Sequence, residues 1–301
     1  MTTTRPSWNL FFLSLLLSQV QSISEWSYTN EHTKETNWPV HYASCNGPYQ
    51  SPVDIDSTKA QYSSTLQTVC LFPKNESTWP HHRYTVTNNG HSVKIDFPSD
   101  TWFVSFNNDS TPQYEAVQIH FHWGTDDSRG SEHLLHGMSF PLEAHLVCYN
   151  KRLYNSFTKA ADSPYGLAVL GIWVNISSNP STPRTLLSQL GDFQLALPNI
   201  TDYNTSTSIN AFDLSRLLTL VDPKSYFRYE GSLTTPPCTS NVIWTVFRDN
   251  ALITTKQLTL FRSLCYPEEE KIGQMGDNFR SAHEFDSKNS PIPRVLYKTF
   301  V

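Results

Sequence analysis

Apolar and polar positions alternate through much of the chain. Over 92–97, Val93, Ile95 and Phe97 fall on one side, and Ser92, Lys94 and Asp96 on the other. That is the period-two signature of a half-buried strand. Strands are expected likewise over 51–55, 66–71, 83–88, 101–106, 116–123 and 142–149. Residues 167–174 are nearly continuous in apolar character, as in a strand buried on both faces. Asn89-Gly90 marks a turn, and 124–137, with Gly130, reads as a loop. Helical spacing is scarce. It predicts one helix over 211–218, capped by Asn210, and another over 255–264, where Leu258, Phe261 and Leu264 share a face. The fold class is therefore mainly β (α+β): a largely antiparallel sheet with short peripheral helices.

Length and composition narrow this picture. An all-β domain can hold 301 residues as one unit, and no Gly/Ser tract, charge run or repeat suggests a linker. A net charge of -5 without a basic stripe argues against nucleic acid as a partner. Residues 1–24 read as a secretory leader. Arg5 precedes a short apolar run over 10–17, and Ser22 and Ser24 place cleavage near 22–24. The run is too short to span a bilayer. The remaining domain would be 25–301. No apolar tail is visible over 291–301, so no membrane anchor is expected. Glycosylation acceptor patterns begin at Asn75, Asn108, Asn175, Asn199 and Asn204. Five cysteines leave at least one unpaired in an oxidised monomer. Nothing in the sequence fixes the oligomeric state.

The candidate chemistry sits in 118–124. On a strand, Gln118, His120 and His122 project together, with Ile119, Phe121 and Trp123 opposite. A second strand would place Glu143 beside His145. If the two strands pair, three imidazoles converge. Gln118 and Glu143, each two residues before a His, can accept the rings' other N–H groups. This is the donor set of a catalytic zinc site. A lone His-x-His pair is more often incidental, and on pattern alone both readings stay open.

Resemblance adds a family. Gln118-x-His120-x-His122-Trp123-Gly124, Gly130-Ser131-Glu132-His133 and Glu143-x-His145-x-Val147 resemble the signature of the α-type carbonic anhydrases, in order and at family-like spacing. The likeness extends through 50–54, 88–91, 166–171, 231–237 and Asn278-Phe279-Arg280. It implies a central twisted ten-stranded sheet with the metal at the base of a conical cleft. It implies Zn2+ held by His120, His122 and His145, with Gln118, Glu143 and Asn278 supporting them. Three uncharged ligands leave the dication's charge undiminished, so bound water ionises near neutrality, for which carbonic anhydrase is itself the standard example. The hydroxide would attack CO2 to give bicarbonate and a proton.

The same resemblance assigns the remaining roles. Thr234 would orient the nucleophile while its hydroxyl donates to Glu132. His91 would shuttle protons to buffer. Val147, Val169, Leu233, Val242 and Trp244 would wall the CO2 pocket, and Thr235 would shape product binding. Tyr28, Asn88, Asn89 and Lys94 would line the cavity water network. Cys45 would pair with Cys238, a long loop closure worth about 5 kcal/mol in the chain-entropy account. Sulfonamides and anions are the expected inhibitors.

Two departures stand out. Lys94 replaces what is usually a neutral amide; if its ammonium stays near His91, it should disfavour the protonated imidazole. Residues 281–285 replace the usual Pro-x-Gln-Pro-Leu, which puts the C-terminal packing in doubt. The rival reading is a matrix or binding protein on the same scaffold. It is disfavoured because all three ligand positions are histidine and no low-complexity insertion occurs.

Overall fold

In the computed structural model, which describes residues 26–107, 113–270, 272–285 and 294–300, the alternating segments pair into one large mixed sheet. The leader and the Asn108 acceptor lie outside the described residues. The strands are β1 (Asp54–Ile55), β2 (Gln61–Tyr62), β3 (Cys70–Pro73), β4 (Arg83–Asn88) and β5 (Val93–Asp96). Next come β6 (Trp102–Ser105), β7 (Tyr114–Trp123), β8 (Leu134–Leu135), β9 (Leu142–Asn150) and β10 (Leu167–Ile176). The last are β11 (Thr205–Asn210), β12 (Tyr226–Gly231), β13 (Val242–Phe247), β14 (Ala251–Ile253) and β15 (Tyr297–Lys298).

The sheet has 13 strands, not ten. The continuous order β11-β4-β5-β7-β9-β10-β13-β12-β15-β2 accounts for ten. β3, β6 and β14 attach beside that path. Pairing is mostly antiparallel, with parallel ladders at β10/β13, β10/β14 and β15/β2. β1 and β8 form a separate parallel pair, so the stretch 124–137 is not all loop.

Other element boundaries also shift. In 51–55 only β1 forms a strand, preceded by an isolated bridge between Val53 and His283. The strand expected over 66–71 begins at Cys70, because the Val69 N–H is taken by the Pro223 carbonyl. The helix expected over 211–218 is a 3-10 turn, Leu214–Thr219. Asp213 caps it by accepting the Ser215 N–H at 3.0 Å, while Asn210 remains in β11. The second predicted helix forms at Thr255–Arg262, closed by a capping box between Thr254 and Gln257.

Alternation sorts the core into two faces. Ile119, Phe121 and Trp123 of β7, Ala144 and Leu146 of β9, and Leu170 and Ile172 of β10 enter one large apolar cluster. Val147, Val169, Trp173, Val242 and Trp244 enter a second. A third joins Trp38 to the Cys45–Cys238 disulfide, with Trp26, Tyr28 and Tyr42 packed on it. The disulfide links positions 193 residues apart.

Candidate metal centre

The β7/β9 register places His120 opposite His145 and His122 opposite Glu143. A bulge between Ala116 and Gln118 sets this phase. The ligand-capable atoms of His120, His122 and His145 all lie within 4.8 Å of one another. One nitrogen of each ring is engaged on the far side. His120 Nδ1 meets Gln118 Oε1 at 3.1 Å, His122 Nδ1 meets the Asn278 carbonyl at 2.7 Å, and His145 Nε2 meets Glu143 Oε1 at 2.7 Å. These partners fix the tautomers that leave His120 Nε2, His122 Nε2 and His145 Nδ1 facing inward. His122 Nε2 and His145 Nδ1 are buried without a hydrogen-bond partner. Two orphaned acceptors aimed at one point are what a bound cation would satisfy. Burial lowers the pKa of all three rings, that of His122 to about 4, so they are neutral and able to ligate.

Glu143 is the hub of the supporting layer. Its Oε1 accepts from His145 Nε2 and His133 Nδ1, both at 2.7 Å. Its Oε2 accepts the backbone N–H groups of Glu132 and His133 at 2.9 and 2.8 Å. Although burial opposes ionisation, the two imidazoles and these bonds hold its carboxyl well below the usual range. His133 Nε2 continues to the Tyr229 hydroxyl at 2.6 Å, and Tyr229 bonds Ser51 Oγ at 2.9 Å. Gly171 opposes His145 across β10/β9, and a Cβ there would stand 3.2 Å from Glu143 Oε1. The sequence places His133 and Ser51 inside motifs without a role for either, and gives no sign of Tyr229. Their signal is burial without apolar character, which only the fold reveals.

Glu132 lies against the ligands, with Oε2 3.4 Å from His122 Nε2 and 3.8 Å from His145 Nδ1. Its Oε1 accepts the Arg280 N–H at 2.8 Å. Burial raises its carboxyl to about 7, and hydrogen bonding from Thr234 opposes the rise. Arg280 ties this region to the N-terminal segment. Its guanidinium donates to Gln50 Oε1, the Ser51 carbonyl and the Cys45 carbonyl.

Val147, Val169 and Trp244 form a row across β9, β10 and β13, each directly paired with the next. Val242 shares their face, and Leu233 packs beside them. The Trp244 ring centroid is 4.8 Å from that of His145. Thr235 is half-buried in the loop after β12.

The expected water-lining residues divide. Tyr28 packs edge-on to Trp26 and Trp38, and burial raises its pKa. Asn89 is exposed, and its Oδ1 accepts the His91 and Ser92 N–H groups. Asn88 departs from expectation. It is fully buried and spends its amide on the Thr201 and Cys265 carbonyls and the Gly90 N–H. Its work is to pin the turn, where Gly90 takes a φ of 84°.

Lys94 also departs. It is ion-paired to Asp96 at 2.8 Å and stands opposite His120 across β5/β7. The charge lowers the pKa of His120, not that of His91. His91 is pushed down to about 4 by burial, stacked 3.8 Å from Trp26. Asn278 supports His122 through its backbone carbonyl, while its side chain bonds the Trp123 N–H and the His91 and Phe121 carbonyls.

A family model described as eukaryotic-type carbonic anhydrase matches residues 33–289. The chain is 34% identical to carbonic anhydrase 12 of Homo sapiens, over 92% of this chain and 73% of that protein. It is 35% identical to carbonic anhydrase 6 of Homo sapiens, over 83% and 77%. Identity to carbonic anhydrase 7 of Mus musculus is 38%, over 85% and 92%. A match of this extent makes the chain a member of the eukaryotic-type carbonic anhydrase family, and its activity that of a carbonate dehydratase, a lyase.

Proposed function

We propose that this carbonic anhydrase is a secreted, glycosylated zinc enzyme that hydrates CO2 reversibly and so serves extracellular pH homeostasis. The observation that carries the zinc reading is the pair of orphaned buried nitrogens on His122 and His145 facing an open His120. Zinc held by these three rings supplies the Lewis acidity that makes water a nucleophile near neutral pH.

The chain's own groups do the rest. Gln118, Glu143 and the Asn278 carbonyl keep the far-side protons on the three ligand rings. The Thr234 hydroxyl donates to Glu132 and thereby turns its oxygen lone pair toward the reacting water, an orientation effect. The row Val147, Val169 and Trp244, with Val242 and Leu233, takes the uncharged substrate and excludes water. Thr235 shapes product binding. His91 passes the proton outward, with the exposed Asn89 beside it and Tyr28 packed on Trp26 behind it. Stacked and desolvated, His91 is a weaker base than an ordinary imidazole, so external buffer carries part of the proton flux. Secretion rests on the leader at 1–24, on Cys45–Cys238 and on the exposed acceptors Asn75, Asn175, Asn199 and Asn204.

The test is metal content measured with stopped-flow CO2 hydration on the same preparation. One zinc per chain, turnover that rises with buffer concentration and inhibition by a sulfonamide are expected. A zinc-loaded protein with no hydration above buffer contradicts the reading.

A further inference from the structure

A cavity of about 510 Å³ opens between β12, β13 and the C-terminal strand, away from the histidines. The C-terminal segment supplies part of its wall through Arg294, Val295 and Tyr297. Leu66 and Ile243 give it an apolar floor, and Tyr49 and Tyr297 give it aromatic sides. Two cations line it, Arg228 and Arg294, against one carboxylate, Glu230.

Arg228 is the informative residue. Its guanidinium lies over Phe106 at 4.1 Å and Tyr226 at 5.0 Å. Nε and Nη2 both donate to the Thr245 hydroxyl, at 3.1 and 2.8 Å. Among the described residues no carboxylate approaches it within 4.0 Å, not even Glu230 two positions along the same strand. Burial lowers its pKa. A guanidinium fixed between rings, held by one neutral hydroxyl and short of a counter-ion, is pre-organised to take a charged acceptor. The apolar floor and aromatic sides ask that acceptor to carry a hydrophobic body.

We propose that this cavity is a second ligand site, taking a small monocarboxylate with an aromatic or aliphatic body. The carboxylate meets Arg228, and the body lies on Leu66, Ile243 and Tyr297. The site holds none of the three ligand histidines and shares with their supporting layer Tyr229, which lines its wall and turns its hydroxyl to His133.

The probe is benzoate, titrated calorimetrically into the holoenzyme, with neutral benzamide as its comparison. Benzoate is expected to bind at least about tenfold more tightly than benzamide. Arg228→Gln is expected to weaken benzoate by about tenfold or more, with CO2 hydration unchanged. Ser240 is exposed at the rim, so Ser240→Glu adds a repelling charge without touching the core, and it decides the matter if Arg228→Gln misfolds. Benzoate held at the metal centre would be indifferent to both substitutions. Equal affinity in all three proteins, or equal affinity for benzoate and benzamide, overturns the proposal.

Discussion

On one side of β7 stand Ile119, Phe121 and Trp123, fully buried among hydrocarbon and stacked rings. On the other stand Gln118, His120 and His122, polar throughout, with His122 buried and the first two half-buried. The apolar face is held by area and shape, and neighbours there are exchangeable if volume is kept. The polar face is held by saturation. Glu143 alone accepts four hydrogen bonds, and the chain runs on through His133 and Tyr229 to Ser51. Burying so many polar groups is tolerable only when each finds a partner. Among the described residues, three of the buried polar atoms without a hydrogen-bond partner, His122 Nε2, His145 Nδ1 and Glu132 Oε2, surround a single locus. The contrast locates the metal centre without reference to any relative.

Breaking the polar face has the largest expected effect. Glu143→Ala strands two imidazole N–H groups and two backbone N–H groups in the interior. It should cost about 3–5 kcal/mol of stability and weaken zinc binding about 10–100-fold. Chemical denaturation and competitive chelation measure the two losses. Zinc affinity unchanged would remove Glu143 from the supporting layer.

The apolar face should fail differently. Phe193 is fully buried and stacks on Phe121 at 5.3 Å. Phe193→Ala should cost about 3–5 kcal/mol while zinc stoichiometry stays at one per chain. Loss of zinc in a still-folded Phe193→Ala protein would show that the two faces are not independent.

A smaller effect sharpens the comparison at alkaline pH. Tyr84 sits in the apolar cluster and accepts the Trp102 indole N–H at 2.7 Å. Burial raises its pKa from 10.0 to about 12. The folded value lies above the unfolded one, so its contribution is complete below about pH 10 and is lost as pH rises through about 12. Tyr84→Phe should cost about 1 kcal/mol near neutrality and flatten the alkaline fall in denaturation midpoint. An unaltered alkaline profile would contradict this.

Much of the metal centre was legible because strand alternation is local. Gln118 with His120, and Glu143 with His145, each lie two residues apart, so period two alone places them together. The signal weakened where partners are distant. The Asn278 carbonyl reaches His122 across 156 residues, and no spacing rule anticipates a backbone acceptor at that range. For Asn88 and Lys94 the family position says less, for a related reason. A family position says which loop a residue occupies, not whether its amide is already committed to backbone or its charge already paired. Helix ends slipped where two capping residues competed, as with Asn210 and Asp213. Of the three strands beside the main path, β3 and β6 were legible over 66–71 and 101–106, and β14 escaped notice because three residues carry little periodicity.

The claim beneath all of this is that three imidazoles from two paired strands converge on one cation. X-ray absorption at the zinc edge of the purified protein measures that directly. The account predicts three imidazole nitrogens at about 2.0–2.1 Å, a light fourth ligand and no sulfur. A sulfur neighbour, or fewer than three imidazoles, would contradict it.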